Sequence, residues 1–152
     1  MLLLTLIGVM AMGRMVLAVL PDTAAEASAA IKRSHGKTEE QRQQFIAQLG
    51  WQVESEPAEA IEVVIPKKFD EIYQSYNLIQ KEQGMDLLKW RGKRCMKYSY
   101  NVLNYPAQQQ NIRLNLLVCG GKIIGGDVCS LGLDGFMHGL SFPKENYTAS
   151  AG

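Results

Sequence analysis

The chain has 152 residues, of which 47% are hydrophobic and 20% charged, and its formal net charge is +1. This length accommodates one domain with its own core and is short for two. The near-neutral balance excludes the broad basic footprint of nucleic-acid-binding domains, so we expect no nucleic-acid partner. Three cysteines, an odd and small number, exclude a disulfide framework.

Residues 1–20, MLLLTLIGVMAMGRMVLAVL, form an almost unbroken apolar run. Twenty residues of helix span about 30 Å, the thickness of a bilayer hydrocarbon core. Arg14 opposes insertion but lies near enough to the end of the run to reach the interface. We therefore predict a transmembrane anchor, with membrane contact through this segment. A cleaved signal peptide is the alternative, because residues 25–29 offer small-residue cleavage patterns.

Residues 21–37 are rich in Ala, Ser and charge and lack a sustained apolar face, so they are predicted to be a tether. Lys32, Arg33 and Lys37 would hold the following domain in the cytoplasm by the positive-inside rule. Basic residues upstream of the printed start would reverse that inference. The residues alone leave the topology open.

The globular domain is predicted over 38–142, followed by a flexible tail over 143–152. Thr38 and Gln41 form a capping box at the start of a first helix, and Gly50 ends it. Strands are predicted over 51–53 and 60–66. A second helix is predicted over 67–83, with one apolar stripe made of Phe69, Ile72, Tyr73, Tyr76 and Ile79.

Beyond residue 87 the apolar period changes from helical to two, which is typical of strands. Segments 95–104 and 111–119 alternate, and their apolar faces coincide when Met96 lies opposite Val118 and Tyr100 opposite Leu114. The sequence therefore predicts an α+β fold, in which two helices pack on one face of a four- to five-stranded, mainly antiparallel sheet. The N-terminal transmembrane helix precedes it.

The stretch GGKIIGGDVCS, residues 120–130, is predicted to be a hairpin that turns at Gly120 and Gly121. A two-residue turn places Ile123 on the Val118 side of the strand, and a three-residue turn places Ile124 and Val128 there instead. The mid-strand glycines 125 and 126 indicate a bulge or a close approach. We expect the second helix to approach there through an aromatic side chain, Tyr73 or Tyr76.

Three nearby side chains, Asp127, Cys129 and His138, are the residue types that a thiol hydrolase needs, with Asp134 as a second carboxylate. A catalytic Cys and its His usually come from distant parts of a chain, and no known signature surrounds this Cys. A structural role is therefore favoured. No cofactor and no metal site are predicted, because Cys129, Asp134 and His138 do not have the spacing of a tetrahedral set.

Cys95 and Cys119 lie opposite each other in the predicted strand pairing. A cross-strand disulfide is possible there if the domain lies outside the cytoplasm. The alternative is two small side chains that fill a sheet face, because opposed strand positions do not always have disulfide geometry.

Three stretches of the chain carry a family resemblance: IPKKFDEIYQSYNLIQKEQGMDLLKWRGK (65–93), YSYNVLNYP (98–106) and LLVCGGKIIGGDVCS (116–130). Their most specific runs are YN-x-x-QK-x-QG at 76–84 and IGGD-x-CS at 124–130. They resemble a family of uncharacterised domains in membrane-anchored proteins of Gram-positive Firmicutes. The resemblance implies an N-terminal anchor and an extracytoplasmic domain, and it supplies no catalytic residues.

We therefore expect a single-pass protein of the cell membrane whose domain is an extracytoplasmic, non-enzymatic binding module for a protein, peptide or cell-wall ligand. Two alternatives are a thiol-dependent enzyme that uses Cys129 and His138, and a cytoplasm-facing membrane regulator.

Overall fold

The computed structural model describes residues 34–133 and 135–144. The predicted anchor over 1–20, most of the predicted tether, Asp134 and most of the predicted tail lie outside these residues. Within the described ranges, no helix has both the length and the apolar character needed to cross a bilayer.

Two α-helices and five strands make up the part of the fold that lies in these described ranges. The elements are α1 (Glu39–Gln48), β1 (Glu59–Val64), α2 (Glu71–Glu82), β2 (Arg94–Asn101), β3 (Ile112–Cys119), β4 (Lys122–Ser130) and β5 (Met137–His138), with short 3-10 helices at Leu87–Trp90 and Pro106–Gln108. The strands form one sheet in the order β1-β2-β3-β4-β5, and every neighbouring pair is antiparallel. The α+β prediction with five strands is confirmed.

Helix α1 forms where the capping chemistry predicts it. The Thr38 side chain accepts a hydrogen bond from the Gln41 N–H, and the Gln41 side chain accepts one from the Thr38 N–H. Gly50 takes the left-handed conformation after the last turn, with φ of 91°. The strand predicted over 51–53 is only a single bridge, between Val53 and Val102.

Helix α2 begins four residues later than predicted, because Asp70 caps it and accepts a hydrogen bond from the Tyr73 N–H at 2.8 Å. Phe69 therefore precedes the helix, and its side chain is buried. The predicted apolar stripe is wrong in part: Ile72 is 81% exposed, whereas the amide side chains of Asn77 and Gln80 are buried.

The register of β2 and β3 is the predicted one, with Met96 opposite Val118 and Tyr100 opposite Leu114. At the β3–β4 turn, Gly120 and Gly121 have φ of 58° and 77°, as a tight hairpin requires. The register shifts at Leu117/Val118, so that Ile124 is an extra residue in β4. This bulge combines the two predicted alternatives, since Ile123 and Val128 both pack in the cluster that contains Val118.

The two helices pack on opposite faces of the sheet, so the prediction that both lie on one face is wrong. The α1 face is apolar; its buried side chains include Phe45, Ile46, Leu49, Trp51, Tyr100, Leu114, Leu116, Val118, Ile123, Val128 and Leu140. The α2 face combines an apolar cluster with polar side chains; the cluster contains Ile65, Phe69, Leu87, Cys95, Leu117, Cys119 and Ile124. The central strands β3 and β4 are thus buried on both faces, whereas the edge strand β1 is mostly exposed.

Candidate functional site

A row of polar side chains crosses three strands beneath α2, and we call Tyr76, Ser99, Asn115 and Asp127 the polar network. Ser99 lies opposite Asn115, and Asn115 lies opposite Asp127, so the row follows the register of the sheet. The Ser99 hydroxyl donates to Asn115 Oδ1 at 2.6 Å, and Asn115 Nδ2 donates to Asp127 Oδ1 at 2.9 Å. Tyr76 on α2 closes the row by donating to Asp127 Oδ2 at 2.8 Å.

Burial dominates the electrostatics of the polar network. Asp127 is 3% exposed, and this burial raises the pKa of its carboxyl, while the hydrogen bonds from Asn115 and Tyr76 act in the opposite direction. The pKa of Tyr76 is raised well above its ordinary value, first by burial and then by the Asp127 charge. Each oxygen of the Asp127 carboxylate accepts a hydrogen bond, so the polar network has the complete hydrogen bonding that is typical of a structural contact.

Cys129 lies next to the polar network, on the same face of β4 as Asp127. Its sulfur accepts a weak hydrogen bond from Asn115 Nδ2 at 3.5 Å. Burial raises the pKa of the Cys129 thiol, and the nearby Asp127 charge raises it further. A nucleophilic cysteine needs the opposite influence, since the thiolate is the reactive form.

His138 lies on the other face of the sheet. It pairs with Val128, whose side chain is in the α1 core, and its ring stacks on Phe136 at 5.7 Å between centroids. The Gly139 carbonyl lies 2.6 Å from Nδ1 and can only accept, so Nδ1 carries a proton, and Nε2 is hydrogen-bonded to the Tyr105 hydroxyl at 2.9 Å. The structure therefore brings Asp127 and Cys129 together and does not bring His138 to them.

No group of three or more metal-ligating side chains that could hold an ion occurs in the described part of the chain. Asp134, the third residue considered for a metal site, lies outside it.

The most specific sequence runs meet at the contact between α2 and β4, which we call the α2 joint: Gln80, Gln83, Gly125 and Gly126. Gln80 Oε1 accepts from the Gly126 N–H at 2.8 Å and from Gln83 Nε2 at 2.8 Å. Gln83 Nε2 also donates to the Gly126 carbonyl, and Gln83 Oε1 accepts from the Leu140 N–H. The α2 joint thus binds both the backbone N–H and the backbone carbonyl of Gly126.

Gly125 allows this close approach of α2, and Gly126 allows an equally close approach of β3 and of Leu140. A Cβ on Gly125 would lie 3.0 Å from Gln80 Oε1, and a Cβ on Gly126 would lie 2.5 Å from the Asn115 carbonyl oxygen. The predicted approach of the second helix is confirmed, but the side chain that approaches is the Gln80 amide and not an aromatic ring. Gln80 and Gln83 are absent from the predicted site residues. The sequence signal for them is the combination of two glutamines three residues apart on one helix with two adjacent glycines in the middle of a strand.

Cys95 and Cys119 pack in the core beneath α2. Burial raises the pKa of Cys95 to about 12, and its contact with Cys119 contributes to that increase. The three cysteines are free thiols in the structure. The Cys95–Cys119 disulfide stays a prediction for an oxidising compartment, and thiol counting with and without reductant tests it.

Two open grooves are large enough for a ligand. The basic groove, of about 550 Å³, is lined by both apolar and cationic side chains, which include Lys67, Lys68, Phe69, Leu78, Lys81, Leu88 and Arg91. The amide groove, also about 550 Å³, lies by the β2–β3 loop; its lining includes Glu54, Asn101, Asn104, Gln108, Gln109, Gln110 and Asn111. Neither groove contains a nucleophile–base pair.

A protein-family model described as "Domain of unknown function (DUF4830)" matches residues 45–128. This range contains α2, the polar network and the α2 joint. No curated protein and no solved structure matches the chain.

Proposed function

The chain belongs to the DUF4830 family, and we propose that it is a non-enzymatic binding module that residues 1–20 tether to a membrane. The observation that carries the proposal is the separation of Cys129 and His138 onto opposite faces of the sheet. Because of that separation, the most complete set of catalytic residue types in the sequence does not come together in the fold.

The chemistry of the remaining polar groups agrees with this proposal. The Asp127 carboxyl is 3% exposed and accepts a hydrogen bond from the half-buried Tyr76 hydroxyl at 2.8 Å, so Asp127 is not presented to a substrate. The pKa of the Cys129 thiol is raised, which keeps it protonated near neutral pH. These groups stabilise the packing of α2, and the open grooves are left as the places where a ligand can bind.

The two grooves suit different parts of a protein, peptide or cell-wall ligand. The basic groove combines cations with exposed apolar side chains, since Leu78 is 59% exposed, and it suits an acidic segment with an apolar side chain. The amide groove offers both donors and acceptors and one carboxylate, Glu54, and it suits a neutral polar ligand such as a sugar chain or an extended peptide.

The membrane tether and the outward topology are parts of the same proposal. The apolar run of residues 1–20 supports the tether, because twenty residues match the thickness of a bilayer core. The resemblance to anchored Firmicutes proteins favours a domain outside the cytoplasm. Lys32, Arg33 and Lys37 favour the inward orientation of a membrane regulator, so topology needs a direct test.

Flotation and protease digestion test the tether and the topology. The full chain, incorporated into lipid vesicles, is expected to float with them through high-salt and alkaline washes, and a chain that sediments would contradict the tether. In cells stripped of their wall, added protease is expected to digest the domain. Protection that is lost only on lysis would contradict the outward topology and favour the inward-facing regulator.

A further inference from the structure

The end of the sheet at the β3–β4 turn is positively charged. Four chain segments form this end: 34–38, 64–68, 91–94 and 119–122. They contain seven basic residues and no acidic residue. All seven are exposed, and we call them the basic end: Lys37, Lys67, Lys68, Arg91, Lys93, Arg94 and Lys122.

Backbone hydrogen bonds hold the four segments together. The Gly36 N–H donates to the Gly121 carbonyl at 2.9 Å, which joins the first segment to the turn. The Ile65 N–H donates to the Lys93 carbonyl at 2.9 Å, and the Gly92 N–H donates to the Ile65 carbonyl at 2.7 Å. The cations are therefore fixed to the ordered sheet through its backbone.

Acidic residues border the basic end without neutralising it. Glu62 on β1 pairs with Arg94 at 3.0 Å, and both side chains are exposed, so the pair is weak. Glu39 in the first turn of α1 pairs with the buried Arg42. Glu40 and Asp70 lie at the starts of the two α-helices, just outside the four segments.

The opposite end of the sheet is rich in acidic and amide side chains. Its segments 52–59 and 101–112 contain three acidic residues, Glu54, Glu56 and Glu59, and no basic residue. Arg113, the next residue of β3, lies 3.9 Å from Glu59 and is the one cation that borders these two segments on β3. The domain thus has a basic end and an acidic, amide-rich end, although the net charge of the chain is only +1.

The chain enters the domain at the basic end. The Ile123 N–H donates to the Ser34 carbonyl at 3.2 Å, and His35 bridges to Lys122. Arg42 Nη1 donates to the Gly36 and Lys37 carbonyls at 2.8 and 3.1 Å. The point of entry is therefore held by β4 and by a buried arginine of α1.

The connection to the predicted anchor is short. Thirteen residues lie between Leu20 and Ser34, and even a fully extended connection of that length reaches at most about 45 Å. If residues 1–20 lie in a bilayer, the basic end is the part of the domain that is attached nearest to its surface.

We propose that the basic end docks on the surface of the bilayer that holds residues 1–20, by binding anionic lipid headgroups. This inference rests on the membrane tether proposed above. Each lysine or arginine near an anionic surface contributes about a fivefold gain in association, and the attraction acts within a Debye length of about 10 Å. Docking would place Lys67, Lys68 and Arg91 of the basic groove against the headgroups. It would turn the amide groove away from the membrane and leave that groove open to a ligand.

Energy transfer from tryptophan to dansyl-labelled headgroups measures this docking in the full chain. Trp90 lies at the basic end, where its carbonyl accepts from the Lys93 N–H at 3.0 Å, whereas Trp51 is buried in the α1 core. The full chain is placed in vesicles of phosphatidylcholine alone or mixed with phosphatidylglycerol. Transfer is expected to rise in the anionic vesicles and to fall with added salt. The Trp90→Phe variant is expected to lose most of that rise.

A matched pair of triple variants isolates the position of the charge. K67Q/K68Q/K122Q removes three charges from the basic end, and Q52E/S55E/A58E, at exposed residues outside the amide groove, makes the same change in net charge at the opposite end. The first variant is expected to lower the ratio of docked to free domain about 100-fold. The second is expected to leave docking at the anionic surface nearly unchanged.

The outcomes separate the two proposals. A chain that does not float with vesicles at high salt overturns the tether, and this inference with it. A chain that floats but shows equal transfer in neutral and anionic vesicles overturns the docking alone. Equal loss of docking in both triple variants also overturns it, because net charge and not the basic end would then be the cause.

Discussion

The two faces of the sheet are held by different kinds of interaction. Beneath α1 the contacts are apolar, and large side chains such as Leu114 and Leu140 are fully buried. Beneath α2 the buried side chains of the helix are the amides of Asn77 and Gln80, and they bind backbone and polar groups. An apolar face tolerates small shifts, whereas directional hydrogen bonds define one position for a helix. We infer that the polar face serves to fix α2, and with it the basic groove.

The largest expected effect comes from Gly126→Ala, which inserts a Cβ at 2.5 Å from the Asn115 carbonyl oxygen and 2.9 Å from a Leu140 methyl group. Because the first of these contacts is with backbone, relief requires the strands to separate, and we expect a loss of about 3 kcal/mol in the free energy of unfolding. Urea denaturation of the full chain in mild detergent measures it.

Gly132→Ala is the matched control, since its nearest contact is the Ser130 hydroxyl at 3.4 Å. We expect it to change stability by less than about 1 kcal/mol. Equal costs for the two variants would mean that β4 is not packed as described.

Gln80→Met tests the α2 joint with a side chain of similar length that cannot accept hydrogen bonds strongly. The Gly126 N–H and Gln83 would each lose a bond of 2.8 Å in a buried setting. We expect a destabilisation of about 2 kcal/mol by the same denaturation experiment.

Ile72→Ala is the control for Gln80→Met, because Ile72 belongs to the predicted apolar stripe of α2 and yet is 81% exposed. Its expected cost is below about 0.5 kcal/mol. A larger cost for Ile72→Ala than for Gln80→Met would show that α2 presents the predicted stripe to the sheet.

Asp127→Asn is expected to have a smaller effect, visible mainly in its pH dependence. The pKa of Asp127 is raised in the fold, chiefly by burial, so its contribution to stability is present below the ordinary pKa and is lost as pH rises through the raised value. The stability of the wild type relative to Asp127→Asn should therefore fall as pH rises above the ordinary carboxyl pKa of about 4.

Asp86→Asn is the control for the direction of this pH dependence. A hydrogen bond from Asn77 lowers the pKa of Asp86, so its contribution is lost as pH falls. The wild type should gain stability relative to Asp86→Asn as pH rises toward the ordinary carboxyl pKa of about 4, and it should hold that gain at higher pH. A parallel trend in the two variants would contradict the account of the buried carboxylate.

Local signals were sufficient to predict part of the fold. Capping chemistry at Thr38 and Gln41 acts within one turn, and the alternation of β2 and β3 determines their register, so both could be read from the sequence. The placement of the helices on opposite faces could not. The alternate positions Ser99, Asn115 and Asp127 look solvent-exposed until a helix with matching polar groups covers them.

The candidate site was predictable only where neighbours in sequence are neighbours in space. Asp127 and Cys129 share a face because they are two residues apart in one strand. His138 comes to the other face through its pairing with Val128, which depends on the β4–β5 connection and not on residue types. The bulge at Ile124 is likewise a property of the hairpin and its partner strand.

The reactivity of Cys129 tests the central claim, that the polar face is structural and not catalytic. In the native full chain, alkylation by iodoacetamide is followed by peptide mass spectrometry that resolves Cys129 from the other two cysteines, across a range of pH. Burial and Asp127 should place the midpoint of its rate profile above that of an ordinary thiol, with slow labelling at neutral pH. Fast, selective labelling of Cys129 with a midpoint below neutrality would contradict the account and favour a thiol enzyme.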